Sequence, residues 1–156
     1  MKLFALVLVV AGASGCHSAT PGPGDASSSG AAPTGPLANL ESAPFVNEVW
    51  IAQDGGAKVA VLFYAQQNVR ISASCRNGGG QLACDALRQL RGSPPVVVPK
   101  GMVRGNVSAG TKACVALKNT IVGAHDAQGN EDGFCRFPDG SLVSTGALEQ
   151  YGMTLQ

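Results

Sequence analysis

The sequence predicts an α+β fold: a small single domain of mostly antiparallel strands with two or three short helices, stapled by disulfides and preceded by a disordered tether. Three observations carry that expectation. Apolar runs rich in Val and aromatic residues are separated by short turns rather than helical crossovers, which favours antiparallel pairing. Four of the five cysteines stand at positions 75, 84, 114 and 135, an even set suited to cross-linking outside the cytosol. Residues 17–39 carry one charge, Asp25, no aromatic and one large aliphatic, Leu37, so they bury too little apolar surface to offset the entropy of ordering. Residues 40–156 are left to form the core, enough for one domain but few enough that cross-links matter.

Taken in order, Phe45 to Gln53 and Ala57 to Ala65 read as two strands joined by a turn at Asp54-Gly55-Gly56. Asn68 to Ser74 alternates, with Val69, Ile71 and Ala73 on one face and Arg70, Ser72 and Ser74 on the other, the pattern of a half-buried strand. Beyond the Gly78-Gly79-Gly80 loop, Ala83, Leu87 and Leu90 share a helical face, with Arg88 and Arg91 near the end and Gly92 after it. Pro94 and Pro95 stop that helix, and Val96 to Val98, with prolines on both sides, suits only an edge strand. Thr111 to Leu117 reads as a second helix. Thr120 to Ala124 and Gly133 to Phe137 read as a hairpin, Pro138-Asp139-Gly140-Ser141 as a tight turn, and Thr145 to Tyr151 as a last helix closed by Gly152.

Neighbour pairing of the cysteines, Cys75 with Cys84 and Cys114 with Cys135, is expected among the three pairings four cysteines allow, because each bridge then closes a local unit. In the chain-entropy description such loops contribute roughly 2.7 and 3.4 kcal/mol. Zinc is the alternative, but no CxxC pair exists and His125 is the one histidine outside the tether.

The composition excludes several classes. A charged fraction of 13% and a net charge of +1 fit neither a globally basic nucleic-acid binder nor an acidic disordered chain. The one apolar run of interest to a membrane, Leu3 to Ala13, is about half of the roughly 20 residues a spanning helix needs. It reads instead as a signal peptide over residues 1–15, with Lys2 as the basic region and small residues at Gly12 to Gly15. Ala11-Gly12-Ala13 suits ordinary signal peptidase, whereas Ala13-Ser14-Gly15-Cys16 resembles the lipobox of bacterial lipoproteins. That resemblance implies that Cys16 is diacylated on sulfur, becomes the mature N-terminus and leaves an even number of cysteines. The absence of Asp at position 17 implies sorting to the outer rather than the inner membrane. Residues 16–39 then form a tether with a root-mean-square span of roughly 26 Å.

At Ala113-Cys114-Val115, Gly133-Phe134-Cys135 and Phe137-Pro138-Asp139-Gly140-Ser141, continuing through Ala147-Leu148 and Tyr151-Gly152, residues 113–152 resemble the small cysteine-rich exported bacterial domain of unknown function labelled haemolysin-like. The resemblance implies an envelope location and assigns no catalytic residue. No amphipathic membrane-inserting segment accompanies it.

Candidate chemistry is sparse. His125 precedes Asp126 in a polar loop, with no G-x-S-x-G or S-x-x-K motif to supply a nucleophile. Asp126, Gln128, Asn130, Glu131 and Asp132 alternate like calcium ligands, but Glu131 stands at the glycine position and Phe137 at the final glutamate position, so a solvated hairpin tip is expected. The glycine run at 78–80 lacks the Lys-Ser or Lys-Thr of a phosphate loop, and Asp139 suits a turn-capping role. Neither a cofactor nor a metal is expected. One asymmetry remains: from Lys58 to Lys118 nine basic residues face a single acid, Asp85. Arg70, Arg76, Arg88 and Arg91, which flank the Cys75 to Cys84 loop, are the expected anionic docking residues, for lipid headgroups or envelope polymers. The expectation is a non-enzymatic, membrane-anchored envelope lipoprotein with a binding or structural domain and no nucleic-acid partner. The alternative is an inhibitor or modulator of an envelope hydrolase or protease that uses the loop at 76–83 as a wedge.

Overall fold

Two antiparallel strands, β1 (Val46–Ala52) and β2 (Lys58–Tyr64), open the fold, paired from Val46 opposite Phe63 to Ile51 opposite Lys58. In the computed structural model the described residues are 35–92 and 94–156. The expected signal peptide, Cys16 with its lipobox and the tether up to residue 34 lie outside them. At the hairpin tip Gly56 takes a φ of +69°, a conformation that costs a glycine nothing, and its N–H returns to the Ala52 carbonyl at 2.9 Å. Strand β3 (Val69–Ser72) pairs with β2 and ends in a 3-10 turn at Ala73–Cys75, shorter than the alternation suggested.

Helix α1 (Asp85–Arg91) follows, its N-terminus capped by Cys84 and by distant groups: Asp139 accepts from Asp85 N–H at 2.8 Å and Ser141 from Ala86 N–H at 3.0 Å. Next come β4 (Val96–Val98), α2 (Ala109–Ala116), β5 (Thr120–His125), β6 (Glu131–Arg136), β7 (Leu142–Ser144), α3 (Thr145–Tyr151) and β8 (Met153–Leu155). Six strands close into a barrel in the order β1-β2-β3-β7-β6-β5. The closing seams are short. Ile51 and Ala52 meet His125 and Ala124, while Ile71 meets Val143. Ser72 Oγ reinforces the second seam by accepting from Leu142 N–H at 2.9 Å.

Alternation sorts the strand side chains into two cores. Trp50, Ala52, Val59, Val61, Val122, Ala124, Phe134 and Leu142, all on barrel strands, fill the interior. The intervening positions, among them Leu62, Tyr64, Val69, Ile71, Cys135 and Val143, face outward and pack under residues from the three helices. Both bridges tie that outer layer down: Cys75 to Cys84 joins the end of β3 to the start of α1, and Cys114 to Cys135 joins α2 to β6. Helices α2 and α3 approach so closely that a Cβ on Gly110 would lie 1.9 Å from the Thr145 carbonyl oxygen.

Packing against the domain includes residues 37 and 40, the first of them inside the stretch expected to be tether. Leu37 and Leu40 are 4% and 1% exposed, and Arg91 Nε donates to the Leu37 carbonyl at 2.9 Å. A single leucine in a polar window carries no periodicity, so only its tertiary partners reveal it. Two strands, β7 and β8, were also not expected. Strand β8 pairs in parallel with β4, from Val96 opposite Met153 to Val98 opposite Leu155, so Gly152 ends α3 without ending the ordered chain. Among the described residues both bridges and the buried apolar side chains lie between Leu37 and Met153.

Candidate functional site

The densest charge cluster among the described residues lies within the strands of the barrel. Because Val69 and Ile71 face the helices, Arg70 between them is turned inward, where Glu48 of β1 and Asp132 of β6 also point. Arg70 Nε donates to Glu48 Oε2 at 2.8 Å, and its Nη1 lies 3.6 Å from Asp132 Oδ2. The same Glu48 oxygen accepts from Trp50 Nε1 at 2.9 Å. The guanidinium carbon sits 4.0 Å from the Phe63 ring centroid and 5.4 Å from that of Trp50, so two aromatic faces add to the attraction. Burial pushes the Asp132 carboxyl up, against the hydrogen bond from Gly133 N–H and the pull of Arg70. Two carboxylates and two rings occupy the cation, and no hydroxyl or thiol among the described residues is hydrogen-bonded into the cluster. Chemically this is a plug of one protein's own charges.

The other expected docking arginines are likewise engaged. Arg91 makes a forked pair with Glu41, 2.7 and 2.9 Å, which holds the Glu41 carboxyl below the usual carboxylate range. Arg76 lies over Phe45 at 4.8 Å and donates to the Glu41 carbonyl. Only Arg88 projects freely, 72% exposed, and it pairs with Asp85 on the same helix at 2.8 Å. Three of the four arginines expected to dock on anions, Arg70, Arg76 and Arg91, are thus engaged by groups of this chain, and Arg88 is the most exposed of the set. Counting acids by stretch of sequence overlooked Glu41, Glu48 and Asp132, which the fold carries in from either side.

His125 and Asp126 do not form a dyad. Asp126 is folded into its own turn, accepting from Gln128 N–H, Asn130 N–H and Asn130 Nδ2 at 2.7 to 2.9 Å, bonds that hold its carboxyl low. No group of three or more His, Cys, Asp or Glu among the described residues is placed to hold a metal ion. Asp139 caps the turn and α1 together. Burial pushes its carboxyl up, but the hydrogen bonds from Asp85 and Ser141 outweigh that and hold it below the ordinary range.

The loop closed by Cys75 and Cys84 does project, with Asn77, Gly78, Gly79 and Gln81 exposed. It is stiffened from within, because Asn77 Oδ1 accepts from Gly79 N–H and Gln81 N–H at 3.1 and 3.0 Å. Glu48 and Trp50 were not recognised from sequence, although their spacing of two on a strand places them on one face with the sole tryptophan. No protein-family model matches this chain, and neither the curated proteins nor the solved structures include a similar one.

Proposed function

We propose that this protein is a non-enzymatic lipoprotein of the bacterial cell envelope, anchored through Cys16 and presenting a disulfide-stapled barrel as a binding or spacing domain. One observation supports the reading most directly: the four cysteines of the folded unit are consumed in two bridges, leaving Cys16, in its lipobox-like setting, as the one unpaired sulfur of five. Bridged cysteines suit an exported protein, and an acylated Cys16 removes the odd thiol such a protein would otherwise expose. On this reading the absence of Asp at position 17 directs the anchor to the outer membrane.

Metabolic labelling with palmitate followed by mass spectrometry of the mature chain tests this. The expected result is an acylated N-terminus at Cys16, lost in Cys16→Ala. A mature chain beginning at Ser14, or alkylation of all five cysteines in freshly isolated protein, overturns it. A second reading, modulation of an envelope hydrolase or protease, is favoured by the exposed, internally stiffened loop at Asn77 to Gln81. Retention of partner binding by an Asn77→Ala, Gln81→Ala variant would remove it.

A further inference from the structure

We propose that the face formed by β4, the segment after it and α2 seats on an anionic phospholipid leaflet. Among the described residues the exposed large apolar side chains fall on two regions, Val46 and Val49 on β1 and a larger set around β4 and α2. Val97, Met102 and Val115 are 50%, 59% and 59% exposed, and Val107 stands between them in sequence. Val97, Met102 and Val115 line one apolar groove of about 190 Å³, with Lys112 at its edge. These are outward residues of ordered elements. The edge strand and its prolines hold Val97 out, while α2 buries Ala109, Gly110, Ala113 and Cys114 and leaves Val115 on its far side.

The charged side chains on β4, the segment after it and α2 are all basic, and the one carboxylate bonded to α2, Glu149 of α3, is held at its start by Gly110 N–H at 3.1 Å. Lys100 and Arg104 flank Met102, Lys112 lines the groove, and Lys118 follows the last turn of α2. No acidic residue occurs between Asp85 and Asp126. Among the described residues none of these four cations has a carboxylate within 4.0 Å, in contrast to the arginines of the barrel and of α1. Apolar side chains ringed by unpaired cations match the two layers of an anionic interface, acyl boundary and headgroup phosphate. A protein partner of the same apolar character would not require the cations. No helix among the described residues is long and apolar enough to cross a membrane, so the contact is peripheral.

The inference deepens the anchored-lipoprotein reading by naming the surface the domain turns to its own membrane, and it is tested without the anchor. Residues 17–156, the expected mature chain without its acylated cysteine, are floated as one unit with vesicles of phosphatidylcholine alone or mixed with phosphatidylglycerol. Binding is expected only to the mixed vesicles and is expected to fall as salt rises. Arg104→Gln with Lys112→Gln should weaken it about thirtyfold, the share of two basic residues near such a surface. Met102→Ser with Val115→Ser should weaken it about tenfold. Lys58→Gln, in the β1–β2 hairpin, should leave it unchanged. All substituted side chains are at the surface, and circular dichroism confirms folding. Equal binding to neutral vesicles, unchanged binding by both double variants, or a domain that ignores vesicles and instead dimerises through Met102 and Val115 overturns the proposal. Since Cys16 is absent from this unit, such a failure leaves the palmitate result untouched.

Discussion

Replacing Arg70 by methionine keeps an unbranched stem as far as the position of Nε but removes the guanidinium that stacks on Phe63 and strands two carboxylates in one place. Removing one partner of a fully buried ion pair costs about 3–5 kcal/mol. Here Arg70, Glu48 and Asp132 retain 24%, 24% and 21% of their side-chain exposure, so solvent screens part of that penalty. The expected loss is about 2–3 kcal/mol at neutral pH. Trp50 is the sole tryptophan and is bonded to the same Glu48 oxygen, so its fluorescence during urea unfolding of the oxidised protein reports on the cluster directly. The diagnostic comparison is a triple variant, Arg70→Met with Glu48→Gln and Asp132→Asn, which removes the stranded charges. It should recover more than half of the loss. Acidification should also narrow the gap between wild type and Arg70→Met, because protonated carboxyls no longer need the cation. A single variant as stable as wild type, or a triple variant no better than the single one, would refute the account of Arg70 as a charge-neutralising plug.

Cys114→Ala with Cys135→Ala should lower stability by about 3 kcal/mol, since that bridge closes the longer loop, 21 residues of separation against 9, and both its sulfurs are wholly buried. Denaturant titration of the two paired-cysteine variants side by side should place the Cys75 and Cys84 pair second. Gly110→Ala should cost about 2–3 kcal/mol, because its methyl meets the Thr145 backbone and α2 must withdraw from α3; a thermal midpoint within a degree of wild type would contradict that packing. The carboxyls predict opposite pH trends. Glu41 and Asp139, held low in the fold, stabilise it above their unfolded values and lose that contribution as pH falls through their folded ones. Asp132, pushed up by burial, contributes fully below its ordinary value and loses its contribution as pH rises through the folded one. Asp132→Asn should therefore remove a loss of stability that sets in as pH rises above the ordinary carboxylate value, and Glu41→Gln one that sets in as pH falls below it.

Local signals were enough for most of the secondary structure. The Asp54-Gly55-Gly56 turn, the alternation at Val69 and Ile71 and the spacing of Leu87 and Leu90 each specify an element from neighbours a few residues away, although Ala83, expected on the same helical face, lies before α1 and is exposed. What local reading missed is equally physical. Strands β7 and β8 are three residues each, too short for a period to register; β7 joins its hairpin neighbour β6 to the distant Ile71 of β3, and β8 is held by the distant, proline-flanked β4. Barrel closure rests on seams of one or two residue pairs, and no run of residues announces such a seam.

From the sequence alone followed the number and hand of the basic and acidic residues, the positions where the chain turns and the cysteine parity that sets Cys16 apart. Which charges remain available was decided by tertiary structure. Arg70 and Arg91 look like free cations in a basic stretch, yet Glu48, Asp132 and Glu41 lie against them in the fold, while among the described residues Lys100, Arg104, Lys112 and Lys118 have no carboxylate within 4.0 Å. The reason is that Coulomb attraction and desolvation depend on distance through space, and only the folded chain fixes that distance.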